Sequence, residues 1–443
     1  MLKTIERARA AGGVLFAIVA ACTAINAHAT GFYIRAKGAS GLGLAGAGDP
    51  ARANDASTAF FNPAGMTLID KPMAQGGFDV IAIDTKISSL GSSATTPGTG
   101  FVAAGYAGSD GRAREIIPVP NFYYTRPLSN DLWLGLAVAA PFGLGLEYSR
   151  DWFGRYDSIK SQLKTVDFAP SLAWRVNPAW SVGGGINVQY ADATLTNALP
   201  DPLNPGGPTV ATDGYAKLTG DSWALGYNAG VLYQPAAGTR LGLHYRSKIK
   251  HRIDAEATIA NFSGGMAVFN GTSAAKTDLN LPAILSLGIA HELTPAWTLL
   301  AQAQWFGWSD FNEIRVRING VPDNVRPQNF RDAHSVSLGA EYKANRAWTL
   351  RGGVRIDKTP TVDAFRNSAI PDSDVNWYGV GATYKTSERW RLDVGVLHAQ
   401  YKKSSLNLNA AFYAGTGLDS TVNLRGQINN KVNVVSAALR YQF

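Results

Sequence analysis

The residues able to do chemistry are few and scattered. Beyond residue 29 there are five histidines (His244, His251, His291, His334 and His398), and no two of them stand at a metal-sharing spacing. His291-Glu292 opens like a zinc-protease helix, but the second histidine four residues on is absent. No G-x-S-x-G elbow presents a nucleophilic serine. Gly41-Leu42-Gly43-Leu44-Ala45-Gly46 fits the dinucleotide fingerprint letter for letter, yet no buried strand precedes it and no helix pattern follows. Cys22 is the only cysteine and falls in the leader described below, which rules out a disulfide or a thiolate site downstream of it. These patterns point away from an enzyme and imply neither a metal nor a cofactor.

Charge and composition narrow the class further. The formal charge is +8, and Lys3, Arg7 and Arg9 against Glu6 place a net +2 of it in residues 1–29. The remaining basic residues are spread through strand patterns rather than run together, which argues against nucleic acid. Residues 1–29 read as a secretory signal: a basic start, an apolar stretch over 12–25, and Ala27-His28-Ala29 as cleavage site. Val19-Ala20-Ala21-Cys22 gives a rival lipid-attachment reading. Downstream of residue 30 no apolar run approaches the ~20 residues of a membrane helix. With 47 glycines and 10% aromatics, the chain suits a β-rich protein whose strands end in rings.

From Met73 onward the period is two. Trp180, Val182, Gly184, Ile186, Val188 and Tyr190 share one face. The same arrangement recurs in Trp297, Leu299, Ala301, Ala303 and Trp305, and in Trp348, Leu350, Gly352, Val354 and Ile356. Eight residue steps from Trp297 to Trp305 cover ~26 Å of strand, or ~20 Å across a membrane at ~40° tilt. That is close to the apolar band of an outer-membrane barrel, and rings at both ends suit its two interfaces. Short turns at 127–132, 177–179, 234–239, 292–296, 344–347 and 385–389 alternate with long loops near 84–116, 149–163, 196–220, 254–282, 307–332, 358–374 and 402–430. Six turns and seven loops make an all-β, fourteen-stranded antiparallel transmembrane β-barrel over 72–443, with both termini periplasmic. The apolar strand ending in Val435, Ala437, Leu439, Tyr441 and Phe443 needs a partner, which closure supplies.

With the Trp-bearing face toward lipid, the opposite face lines the lumen. Arg240, His244, Arg246, Lys248 and Lys250 in strand 7 are then lumenal, with Arg351, Arg355, Arg391 and Arg440 further on. Most are expected to pair with acids such as Asp357 and Asp393, with the loops or with a plug. Strand 3 reads differently. Leu134, Leu136, Val138 and Ala140 form an apolar inner face, interrupted by Pro141-Phe142-Gly143. Proline gives the ladder no N–H, so this break predicts a lateral opening beside Leu136, Val138 and Phe142, where a hydrophobic solute binds and leaves sideways.

The segment 30–71 is small-residue-rich and carries no strand pattern. With GFYIRAKGASGLGLAGAG and FFNPAGMT in it, and LNLPAILSLGI, NFRDAHSVSLGAEYKANRAWTLRGGVRIDKTP, IPDSDVNWYGVGATY and a closing LRYQF downstream, the chain resembles the FadL/TodX family of outer-membrane transporters for hydrophobic compounds. The resemblance implies that 30–71 is a hatch plugging the lumen, with Asn62-Pro63-Ala64 as its latch facing the exit and Gly143 as the strand-3 kink glycine. It implies passive uptake of long-chain fatty acids or similar compounds, with Arg326 holding the carboxylate. The family's second basic anchor falls at about Asn197 here, which leaves uncharged aromatic hydrocarbons as an alternative cargo. A general porin and an outer-membrane lipase are the remaining alternatives. The expected partners are a hydrophobic small molecule, outer-membrane lipids, and the barrel-assembly machinery through the last strand, with the protein itself a monomer.

Overall fold

The computed structural model describes residues 31–34 and 38–443; the expected leader over 1–29 lies outside the described residues. Fourteen antiparallel strands form the wall: β1 (Met73–Ser89), β2 (Gly111–Pro127), β3 (Leu132–Ala139, resuming as Gly143–Glu147), β4 (Lys160–Arg175), β5 (Trp180–Leu199), β6 (Gly214–Ala236) and β7 (Thr239–Arg246, resuming as Ile249–Ala260). They continue as β8 (Gly271–Leu281, then Ile284–Glu292), β9 (Trp297–Phe306), β10 (Ala333–Lys343), β11 (Trp348–Asp357), β12 (Val375–Lys385), β13 (Trp390–Tyr401) and β14 (Ser420–Gln442). The ladder of β1 with β14, from Met73↔Gln442 to Ser89↔Gly426, closes the barrel and leaves no edge to satisfy in lipid. Among the described residues no helix is long and apolar enough to cross a membrane. Several strands run well into the expected loops, β5 to Leu199 and β14 from Ser420, and build an outer collar above the band.

The lower interface is a repeated pair. Each tryptophan that opens an ascending strand faces the tyrosine that closes the next descending one: Trp180 and Tyr233 (4.2 Å between ring centroids), Trp297 and Tyr342 (4.6 Å), Trp348 and Tyr384 (4.7 Å), Trp390 and Tyr441 (4.5 Å). Amphipathic rings belong at such a boundary, and the pairs are direct cross-strand neighbours.

The expected phase fails in the upper part of β7. Arg240, His244 and Arg246 do face inward, but Lys248 and Lys250 point out of the barrel, and Lys248 pairs with Asp310 at 3.3 Å. The register between β6 and β7 slips by one residue between Arg246↔Asn228 and Asp254↔Asp221. One extra residue turns every following side chain to the other face.

The lumen holds the N-terminal segment, three single-turn helices, α1 (Ala39–Leu42), α2 (Asp49–Arg52) and α3 (Thr58–Phe61), followed by a 3₁₀ turn over Pro63–Leu68. Its glycines work with those of the wall. A Cβ on Gly43 would meet Gly381 Cα at 2.9 Å, and one on Gly230 would meet Asn62 Oδ1 at 2.0 Å. Backbone lies directly on backbone at Gly43, and Gly46 of the same run has a positive φ, which gives these glycines a role without a nucleotide. Several lumenal arginines are paired: Arg440 with Asp393 (2.5 Å) and with Asp55 of the plug (3.8 Å), Arg351 with Glu341 (2.6 Å), and Arg52 of the plug with Glu341 (3.7 Å).

Candidate functional site

The site is built on the interruption of β3. Its lower segment pairs with β2, from Phe122↔Val138 to Pro127↔Trp133, and with β4. The upper segment pairs with β4 alone, from Gly143↔Lys164 to Glu147↔Lys160. Opposite it, β2 carries Pro118 and Pro120, while the β1–β2 ladder runs unbroken through Val80↔Pro118 and Phe78↔Pro120. Prolines tolerated inside an intact ladder turn their missing donors to the other edge, here toward upper β3. No ladder joins these two elements.

Two devices hold the break in shape. Thr165 Oγ1 on β4 accepts from Phe142 N (3.0 Å) and donates to Phe142 O (2.6 Å), a hydroxyl standing in for the ladder. From inside, residues 32–34 add a short antiparallel contact: Tyr33 bridges Phe142, Ile34 N donates to Pro141 O (2.9 Å) and Gly143 N donates to Phe32 O (3.0 Å). Gly143 allows this approach, since a Cβ there would lie 2.6 Å from Ile34 Cδ1. Phe32 sits edge-on to Trp308 (4.6 Å) and Phe311 (5.6 Å), and Tyr33 to Phe142 (5.6 Å) and Phe306 (5.1 Å). Asp372 in the 358–374 loop accepts from Gly31 N (3.2 Å) and Thr359 Oγ1 (2.7 Å), and burial pushes its carboxyl up to about 7.

A cavity of ≈ 590 Å³ lies against these residues. Phe32, Tyr33 and Ile34 form one wall, Ile81 and Ile83 of β1 with Val432 and Val434 of β14 another, and residues 142–147 a third. From β2 it is lined both by Ile117 and Val119, on the lumenal face, and by Pro118 and Pro120, on the lipid face. Residues of both faces of β2 thus border the cavity. Its surface is mainly apolar, with the Lys160–Glu147 pair (2.8 Å) at the outer rim.

Several expected site residues lie elsewhere. Leu136 and Val138 face outward: Val138 is directly opposite Phe122 and Phe168, which are both exposed to the lipid side. The inner face of lower β3 is Trp133, Gly135, Ala137 and Ala139. Trp133 is buried there because its Nε1 donates to Ile69 O of the plug (2.9 Å), so it is not part of the aromatic girdle. Asn62-Pro63-Ala64 does not face the break either. Asn62 Nδ2 donates to Val231 O on β6 (3.0 Å) and to Pro50 O (2.8 Å), its Oδ1 accepts from Ala64 N (3.1 Å), and Gly183 of β5 lies against Ala64. Arg326 is in a loop strand (Asn324–Pro327), where it pairs with buried Asp157 at 2.8 Å and stands outside the cavity lining. Asn197 donates to the neighbouring Ala198 O (2.8 Å). Pro141, Phe142 and Gly143 are at the break as expected; the contribution of residues 32–34 was missed, and its only trace in the sequence is the Phe32-Tyr33-Ile34 run next to glycine.

Fold and site together define a class: a plugged β-barrel of the outer membrane whose internal cavity reaches the side wall. The chain belongs to the outer membrane protein transport protein family (OMPP1/FadL/TodX), which matches residues 20–443. It is 30% identical over 430 residues to a long-chain fatty acid transport protein of Escherichia coli O6:H1, covering 90% of this chain and 93% of that one. The crystal structure of a Pseudomonas aeruginosa FadL homologue superposes with a TM-score of 0.83 at 25% identity, over 94% of this chain and 100% of the other. The toluene transporter TbuX of Ralstonia pickettii shares the fold at a TM-score of 0.61 and 19% identity, over 94% and 99% of the two chains.

Proposed function

We propose that the protein takes up long-chain fatty acids or related hydrophobic compounds passively, with residues 32–34 as the gate and the opening beside upper β3 as the exit. The observation that carries this reading is the cavity lined by both faces of β2, closed on its inner side by Phe32, Tyr33 and Ile34. An apolar chain in such a cavity gains ~0.8 kcal/mol per buried CH₂. The relative from E. coli, named for long-chain fatty acid transport, supports the cargo. Processing after Ala29, insertion through the last strand by the assembly machinery and a monomeric state belong to the same reading.

A second cargo has one observation in its favour. Arg326 is committed to Asp157 and lies outside the cavity lining, whose cations among the described residues, Lys160 and Lys164, stand on the outward face of β4. That favours an uncharged hydrocarbon. Competition of oleate and toluene for the purified protein separates the two.

The exit is tested by filling it. A Cβ on Gly145 would lie 2.6 Å from Ile117 Cδ1, so Gly145→Phe obstructs the passage between upper β3 and β2. Uptake of labelled oleate by cells lacking other fatty-acid channels should fall at least tenfold, while the heat-dependent gel shift of a folded barrel is kept. Unchanged uptake by the folded variant refutes the lateral exit.

A further inference from the structure

We infer that the lipid-facing surface of β14, β1 and β2, just above the apolar band, binds a phosphorylated glycolipid of the outer leaflet. Outward side chains are apolar up to Ala82 on β1 and Ile116 on β2 and, one row lower, up to Val435 on β14, where Asn433 follows; the next row is charged across all three. In that row Asp84 is directly opposite Arg114 on one side and Lys431 on the other. In the next row up, Lys86 is opposite Arg112 and Asn429. Ala74 is level with Tyr124 and Tyr441 of the lower girdle, and Asp84 follows ten residues later. Ten steps of ~3.3 Å at ~40° tilt rise ~25 Å, which puts the row at the outer interface.

The charges in this patch do not balance. Among the described residues the ion pairs of Lys86, Arg112, Arg114 and Lys431 are Arg112–Asp84 (2.8 Å), Arg114–Asp84 (3.5 Å) and Lys86–Asp110 (3.5 Å). Lys431 has no ion pair among the described residues. About half or more of each paired cation is open, at 52% for Lys86, 49% for Arg112 and 65% for Arg114. Lys86 and Arg112 are directly opposite each other, and each leans on one carboxylate, Asp110 and Asp84, the second of which is shared with Arg114. The excess is local, because on β5, β6 and β7 the outward positions Asp192, Asp221 and Asp254 stand abreast, three carboxylates in successive register.

The spread selects the ligand. Guanidinium groups on β2 suit bidentate binding of phosphate, and Lys431 lies two strands away, ~10 Å at ~4.8 Å per strand. Two phosphates separated by a sugar unit span that distance; a single phospholipid headgroup does not. Ile116 (76% exposed) lies immediately below, with Val435 (55%) two rows and Phe78 (54%) three rows down, and these receive the acyl chains. Since Ile116 adjoins Ile117 and Pro118 of the cavity lining, the bound glycolipid flanks the side opening, whatever the cargo.

The test uses the full-length protein in detergent, stripped of lipid and titrated with bis-phosphorylated lipid A under native mass spectrometry. Lipid A should be retained, and neutralising Lys86, Arg112, Arg114 and Lys431 together to Gln should weaken retention at least tenfold. Lys217→Gln with Lys276→Gln, outside the patch, should change it less than twofold. If the fourfold variant does not give the gel shift of a folded barrel, Arg114→Gln with Lys431→Gln serves, with an expected loss of about threefold. Equal retention by the folded patch variant, or equal binding of dephosphorylated lipid A or phosphatidylglycerol by the native protein, overturns the assignment.

Discussion

Gly143 N donates to Phe32 O at 3.0 Å, so the plug completes the wall strand at the interruption of β3. On the upper segment of β3, β4 takes one edge and β2 leaves the other unladdered. Strand edges left unpaired at membrane depth are costly. The front of the plug relieves part of that cost.

Gly143→Val should unseat this contact. Its side chain would occupy the position of Ile34 Cδ1, 2.6 Å from the new Cβ, on a buried and aromatic-lined face. The expected outcome is a folded barrel with frequent conductance events in planar bilayers where the native protein is quiet. A silent Gly143→Val trace would mean that the front of the plug does not close the passage.

Asp372 gives a pH dependence with a definite sign. Burial pushes its carboxyl up to about 7, well above the ~3.9 of an unfolded aspartate, so the ionised form is the costly one in the folded state. The cost is absent below about pH 4, grows between pH 4 and 7, and is complete above pH 7. Asp372→Asn keeps an acceptor for Gly31 N and Thr359 Oγ1 without the charge. It should therefore resist urea better than the native protein at pH 8 and equally at pH 4. A difference that grows toward low pH contradicts this account.

Arg326→Ala should act on the outer loops rather than on the cargo. It leaves Asp157, whose side chain is fully buried, with Ser368 N and Oγ (2.5 Å each) as its hydrogen-bond donors. Losing one partner of a buried pair costs up to ~3–5 kcal/mol, and less here because Arg326 is 34% exposed. Faster proteolysis of the loops is expected, partly rescued by adding Asp157→Asn, with oleate affinity within twofold of native. A tenfold loss of affinity with intact loops would return Arg326 to the binding site.

Gly230→Ala should disturb the seat of the plug. The new methyl would lie 2.0 Å from Asn62 Oδ1, and Asn62 is held by Val231 O and Pro50 O, so it has no free direction to move. A drop in unfolding temperature of several degrees is expected, in line with ~1–3 kcal/mol for overpacking. Stability equal to native would show the plug to be more adaptable than this packing implies.

Period-two patterning, paired rings and alternating connection lengths were enough to read fourteen strands, their order and the lower girdle, because a strand that meets lipid on one face and water or a plug on the other must alternate. The same pattern could not orient β3. Both of its faces are apolar, Leu134, Leu136 and Val138 on one and Trp133, Ala137 and Ala139 on the other, so alternation carries no sign. Trp133 stands near the start of its strand as the girdle tryptophans do, yet the Ile69 carbonyl draws it inward. Upper β7 was misread because a one-residue slip leaves no mark in local composition. Pro141-Phe142-Gly143 marked the break from sequence alone, since a proline inside a strand has a local consequence wherever it falls. What meets that break, and what occupies Arg326, depend on contacts between residues more than a hundred positions apart: Tyr33 with Phe142, and Arg326 with Asp157. Local chemistry determined the strands and the place where one fails; only closure of the barrel around its own N-terminal segment decided which groups complete it.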